Sequence, residues 1–292
     1  MKKYALFLGC TIPARSRNYE LSARNVAEKV GIGLVDLKES ICCGFPMKTI
    51  DERSAQVMAA YNLSLVEEKG LGLCTLCSSC ASALTETAYR ISGDGQRRNE
   101  INRRLSRVHR SYKGEVSVRH LARILYEEVG ASRIEPLVTK KLTGLKIAIH
   151  YGCHYLKPSK VYGGFDDPED AKSLDRLILL TGAEVVEYPG KKRCCGGPVL
   201  PMDETVALAV AKEKLDEVSA VGADLLCLVC PFCAVMYDSN QKTIESQFGV
   251  SYNLPVLYLT QVLGLAMGVD PKALGLSMNV VKTKELIARI LG

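Results

Sequence analysis

Long apolar runs are missing from this 292-residue chain. The one extended uncharged stretch, 253–269, is broken by Pro255, Thr260, Gln261 and two glycines. A membrane-spanning helix needs about 20 mostly apolar residues, so this stretch reads as a buried helix and no membrane span is expected. The start, Met1-Lys2-Lys3, is followed by a short apolar run that ends at Cys10, with Pro13, Arg15 and Arg17 beyond it. That is too short for a signal peptide and reads as a first strand. Charge of one sign is not in great excess: 38 Lys and Arg against 32 Asp and Glu leave +6. Such a balance argues against nucleic acid and suits a small anionic ligand or an acidic partner. No G-x-G-x-x-G fingerprint occurs, so no flavin is expected on this chain. Histidine is scarce, with 4 residues. Metal chemistry here therefore rests on soft thiolates, which suit zinc or iron–sulfur clusters.

Cysteine is what the chain has in quantity: 12 residues. With 47% hydrophobic residues the chain can bury a real core, and it is far larger than a disulfide-stapled mini-protein. Its cysteines fall in tight repeated spacings, so a reducing, cytoplasmic setting is expected. The order is a lone Cys, then Cys-Cys-Gly, then Cys-x-x-Cys, and it occurs twice. The first copy is Cys10, Cys42-Cys43-Gly44 and Cys77/Cys80. The second is Cys153, Cys194-Cys195-Gly196 and Cys230/Cys233. The stretches 116–130 and 254–268 align as a further echo, charged in the first copy and apolar in the second. The apolar copy is either an internal core helix or a contact with a second protein chain.

Each half alternates strands and helices. Short apolar runs at 3–9 and 145–151 read as strands ending at the lone cysteine. Helical spacing follows at 21–30 and 171–180, each stopped by glycine. Second strands at 34–37 and 185–188 precede the Cys-Cys-Gly loops. Helices at 51–69 and 204–221 lead to third strands at 71–76 and 224–229, which end at Cys-x-x-Cys. Alternation of this kind predicts an α/β fold of two tandem related domains with parallel sheets in a pseudo-two-fold arrangement. The first domain is expected over 1–143, including a polar helical connector at about 90–115, and the second over 144–292. Ligands of such sheets bind beyond the carboxyl ends of the strands, which puts all ten motif cysteines on one rim. Helices are expected to begin just after Cys80 and Cys233.

Five thiolates, two of them neighbours, fit poorly to a closed zinc tetrahedron. Cys74 and Cys227 continue the Cys-x-x-Cys spacing backwards, but a ferredoxin's fourth cysteine is missing. Both lie inside expected strands and read as core residues. The doubled motif, with Phe7-Leu8-Gly9-Cys10 and Cys230-Pro231-Phe232-Cys233, resembles the CCG domain and, as two copies in one chain, the B subunit of heterodisulfide reductase. That resemblance implies two non-cubane [4Fe–4S] clusters. The first would be held by Cys10, Cys42, Cys43, Cys77 and Cys80, the second by Cys153, Cys194, Cys195, Cys230 and Cys233. It implies reduction of the coenzyme M–coenzyme B disulfide or a related disulfide. It also implies two partners, the heterodisulfide reductase-like A subunit (flavin and iron–sulfur) and C subunit (cubane iron–sulfur). The same domain also serves electron-transfer subunits of thiol:fumarate reductase, succinate dehydrogenase and lactate or glycolate oxidation complexes, which is the alternative function.

Two further sets of residues bear on substrate chemistry. His154 follows Cys153 directly, and histidine titrates near neutral pH, so it is the candidate catalytic acid for product thiols. Arg15, Arg17, Lys157, Lys160, Lys191, Lys192 and Arg193 flank the cysteines and include the candidates for holding an anionic disulfide. His109, His120 and His150 read as structural.

Overall fold

A computed structural model describes residues 1–291. The first half forms a sheet of β1 (Lys2–Phe7), β2 (Ile32–Asp36), β3 (Gly72–Thr75) and β4 (Val118–His120). The second repeats it with β5 (Lys146–His150), β6 (Glu184–Val186), β7 (Leu225–Leu228) and β8 (Val256–Tyr258). The orders are β2-β1-β3-β4 and β6-β5-β7-β8, and every pairing is parallel. Tyr4–Phe7 of β1 and Ile147–His150 of β5 are buried without alternation, as expected of central parallel strands covered on both faces. The chain runs from the first strand to one neighbour and then crosses to the other. The direction thus reverses beside β1 and beside β5, where such sheets open a crevice at their carboxyl ends.

The long helices Glu52–Glu68 and Glu204–Ala220 start alike. Asp51 accepts a hydrogen bond from the Ser54 amide at 3.0 Å, and Asp203 accepts one from the Val206 amide at 3.0 Å. Each carboxylate satisfies an amide that the first helical turn leaves free and lies favourably on the helix dipole. The arginine-rich region consists of the end of helix Ser78–Ser92, helix Gly95–Leu105 and a turn at Ser106–Val108. Two arginines in and just beyond it pair with acidic residues of the same half: Arg90 with Glu52 at 2.5 Å and Arg110 with Glu68 at 2.6 Å.

The halves join by reciprocal helix packing. Helix Arg17–Lys29, from the first half, lies against Leu259–Ala266 from the second. Helix Ser173–Leu179, from the second half, lies against Leu125–Val129 from the first. Each half thus offers an early helix to a late one of the other, the pattern of an isologous contact. The Tyr19 ring stacks on Tyr258 at 3.9 Å, Ser22 and Thr260 share a hydroxyl hydrogen bond of 2.7 Å, and Tyr19 and His120 both reach the Val229 carbonyl. Leu259–Ala266 is buried along its whole length by this chain itself. The apolar copy of the 116–130 echo is therefore a core helix, and the alternative of a contact with a second chain falls. Among the described residues, no helix is long and apolar enough to cross a membrane.

Candidate functional site

The motif cysteines sit where the strands end. Cys10 and Cys153 follow β1 and β5 on short loops, Cys42/Cys43 and Cys194/Cys195 lie between the second strands and the long helices, and the Cys-x-x-Cys pairs follow β3 and β7. Gly44 and Gly196 shape the Cys-Cys loops. Both have left-handed backbones, with φ of 85° and 81°. A Cβ on Gly44 would come within 2.5 Å of the Ala55 carbonyl oxygen, and one on Gly196 within 2.8 Å of the Ala207 carbonyl oxygen. Only glycine lets the loop lie this close to the following helix. One expectation is corrected here. The helices after β3 and β7 begin at Ser78 and Pro231, before Cys80 and Cys233, so Cys77 and Cys230 are the N-cap residues. A helix start needs its cap in extended backbone, and Cys77 and Cys230 supply that conformation.

The ten thiols form one run of neighbours. Each lies close enough to the next to shift its ionisation, in the order Cys10, Cys42, Cys43, Cys80, Cys77, Cys230, Cys233, Cys195, Cys194, Cys153. The first five belong to one half and the last five to the other, and Cys77 and Cys230 meet at the middle. The middle is buried, while Cys10 and Cys194 near the two ends are exposed. Ionisation is shared unevenly. Cys43, Cys194 and Cys230 are each held below the usual thiol range by two neighbouring thiols. Cys195, beside Cys194, is pushed up to about 12. Such a group titrates as a set rather than as separate thiols. Cys74 and Cys227 stand apart. Both are buried in strands with no sulfur among the groups that shift them, and burial raises both thiols.

His154 lines a narrow cleft together with Ser78, Cys153, Cys195, Phe232 and Cys233. Its ring meets the edge of Phe45 at 4.7 Å, and Tyr162 donates to its carbonyl at 2.7 Å. Its Nδ1 is buried without a hydrogen-bond partner, and burial lowers its basicity. The flanking basic residues divide. Lys191 is buried against Asp175 and Glu187, Arg193 bridges Glu213 and Glu217, Lys192 donates to the Glu169 carbonyl, and Lys157 lies 3.6 Å from Glu169. Arg15, Arg17 and Lys160 are exposed and make no ion pair among the described residues, so they remain the cations open to a ligand.

Two residues escape a reading of the sequence. His150 ends β5 with Nε2 3.2 Å from the Cys233 sulfur, and its ring meets Tyr237 edge-on at 5.0 Å. Lys214 is buried in helix Glu204–Ala220 and donates to the Gly190 carbonyl; burial lowers its pKa to about 8. Nothing in cysteine spacing points to either. Their burial puts a ring nitrogen against a thiol and an ammonium in the core of the second half.

Among the described residues, no three His, Cys, Asp or Glu side chains gather around one point to hold a single ion. The donor set is instead a soft, all-sulfur run along a buried seam, with glycine loops that let backbone approach closely. Those features suit a thiolate-held iron–sulfur group.

Fold and site together define a double cysteine-rich α/β protein with its two thiol sets meeting at the junction. The cysteine-rich CCG domain model matches residues 4–85 and again 147–238. The B subunit of the ferredoxin/F420H2-dependent CoB–CoM heterodisulfide reductase of Methanosarcina acetivorans is 33% identical, over 99% of this chain and 97% of its own length. A protein of Archaeoglobus profundus described as like the heterodisulfide reductase B subunit is 34% identical, over 100% of this chain and 99% of its own. The membrane anchor subunit of the 8-methylmenaquinol:fumarate reductase of Wolinella succinogenes is 30% identical, over 98% of this chain and 99% of its own. A crystal structure of a hypothetical protein from Helicobacter pylori shares the fold, with a TM-score of 0.78 at 17% identity over 96% of this chain and 52% of that one. The chain belongs to the CCG-domain family of the heterodisulfide reductase B subunit.

Proposed function

We propose that this chain is the catalytic iron–sulfur subunit of a cytoplasmic disulfide reductase, acting on the CoM-S-S-CoB heterodisulfide or a related anionic disulfide. The observation that carries the reading is the run of ten thiols that meets at Cys77 and Cys230. Cys10, Cys42, Cys43, Cys77 and Cys80 would hold one non-cubane [4Fe–4S] cluster, and Cys153, Cys194, Cys195, Cys230 and Cys233 the other. When bound, such clusters supply electrons one at a time. The boundary between the two CCG domains falls at about residue 143, and the partners are a flavin-bearing A subunit and a cubane-cluster C subunit.

The remaining work falls to side chains. Arg15, Arg17 and Lys160 are free to attract the substrate's acidic groups. Phe45 packs on the edge of the His154 ring, and Tyr162 holds its backbone at the cleft. His154 delivers the proton that turns a product thiolate into a thiol. A second reading has support from the similarity to the Wolinella succinogenes protein: an electron-transfer subunit with no substrate of its own.

Iron analysis of anaerobically reconstituted protein tests the ligand set. About eight irons per chain are expected from two four-iron clusters, unchanged in Cys74→Ala and Cys227→Ala. Four irons or fewer, or stoichiometric zinc, refutes it. Turnover of a disulfide by the isolated chain with an artificial electron donor separates the catalytic reading from the electron-transfer one.

A further inference from the structure

The halves share a strand order but do not surround their thiols alike. Three positions before the lone cysteine, β1 ends in Phe7 and β5 in His150. Nineteen positions after the second Cys of each Cys-Cys pair stand Asn62 and Lys214. Four positions after Cys80 and Cys233 stand Leu84 and Tyr237. All six are buried. In the first half, nothing at these places offers a hydrogen to sulfur. Phe7 and Leu84 are apolar, and the Asn62 amide is taken up by the Ile41 amide and the Cys42 and Met58 carbonyls. In the second, His150 Nε2 lies 3.2 Å from the Cys233 sulfur. A cysteine sulfur bound to iron carries no proton, so the hydrogen in that contact belongs to Nε2 and the imidazole donates. Lys214, buried in the long helix of the same half, donates to the Gly190 carbonyl and adds an ammonium there that the first half lacks.

Reduction adds an electron and hence negative charge. Hydrogen bonds to ligand sulfurs and nearby positive charge favour the reduced state and raise the potential. We infer that His150, supported by Lys214, makes the two iron–sulfur sites inequivalent, so that the cluster of the second half has the higher reduction potential. Electrons entering the chain then settle in the half whose Cys153, Cys195 and Cys233 line the cleft. His150 is a positioning residue that acts through Cys233. This inference rests on the ten-cysteine reading proposed above.

The test is an anaerobic redox titration of the full chain followed by electron paramagnetic resonance. Two distinct midpoints are expected in the unaltered protein, and Cys10→Ser, which disables the first site, should leave the higher one. His150→Phe copies the first half. It should lower the higher midpoint by an amount equal to about a tenfold change in the reduction equilibrium, ~59 mV for one electron, and leave the lower one in place. Lys214→Gln removes the charge without touching the Cys233 contact and should move the same midpoint in the same direction, which keeps the test decisive if His150→Phe does not fold. Unchanged midpoints, or movement of the lower one, overturns the inference. Failure of the underlying reading would look different: an unaltered chain carrying fewer than two clusters by iron content before any titration.

Discussion

Gly196 is a residue whose side chain is its absence. Its left-handed backbone alone makes alanine cost about 1–2 kcal/mol, and a Cβ would also press on the Ala207 carbonyl oxygen. Gly196→Ala is therefore expected to lower stability in anaerobic urea unfolding and to reduce the iron retained per chain, whereas Gly222→Ala, at a helix end with open space around it, should cost only the backbone strain. His154 makes the complementary prediction. His154→Gln keeps polarity and approximate size at the cleft but has no titratable ring. It should retain both clusters by iron content and slow disulfide reduction by about 10²-fold, within the range for general acid catalysis. Full activity across pH 6–8 would remove His154 from the chemistry.

Between elements, Asn279 ties the second half's last strand and helix Leu259–Ala266 to the first half. Its Nδ2 donates to the Val256 carbonyl at 2.7 Å, and its Oδ1 accepts from Asn18 at 3.0 Å and from Gln261 at 3.0 Å. Asn279→Ala would leave those buried groups without partners, at about 1–3 kcal/mol for each that stays unsatisfied. A loss of about 2–4 kcal/mol in equilibrium unfolding is expected, larger than for an exposed asparagine such as Asn99. This element scale also marks how far the sequence can be read. Strands that end at cysteines are legible, because short apolar runs stop abruptly at Cys10, Cys77, Cys153 and Cys230. So is the core role of Cys74 and Cys227, since both lie inside such runs. The partner that covers Leu259–Ala266 is not, because apolar periodicity says that a face is buried but not by what. His150 reads as merely structural in the sequence for a similar reason: its sulfur partner lies on another strand's loop, and no local spacing records that meeting.

For the molecule as a whole, the junction between halves carries a titratable group. His120 is buried there, with Nδ1 accepting from the Ala122 amide at 3.1 Å and Nε2 donating to the Val229 carbonyl at 2.9 Å. Burial, first, lowers its pKa to about 4 from an ordinary 6.5. A proton on Nδ1 would also face the Ala122 N–H. Below pH 6.5 the unfolded chain binds a proton that the folded chain refuses, so stability falls as pH drops from about 6.5 towards 4 and levels off below. Between pH 7.5 and 5.5 this group should remove about 1.4 kcal/mol. Anaerobic unfolding at the two values should show that loss, and His120→Gln should show a smaller pH dependence by about the same amount.

The reciprocal packing of early and late helices has one more consequence. Two identical copies of a single half, joined by the same contact, would be bound by their axis: any substitution near one thiol set would appear at the other, and the pair would stay electrically balanced. Here the two halves are written separately in one chain. A histidine can stand at the end of β5 while a phenylalanine stands at the end of β1. The shape keeps its symmetry, and the direction of charge movement through it no longer has to.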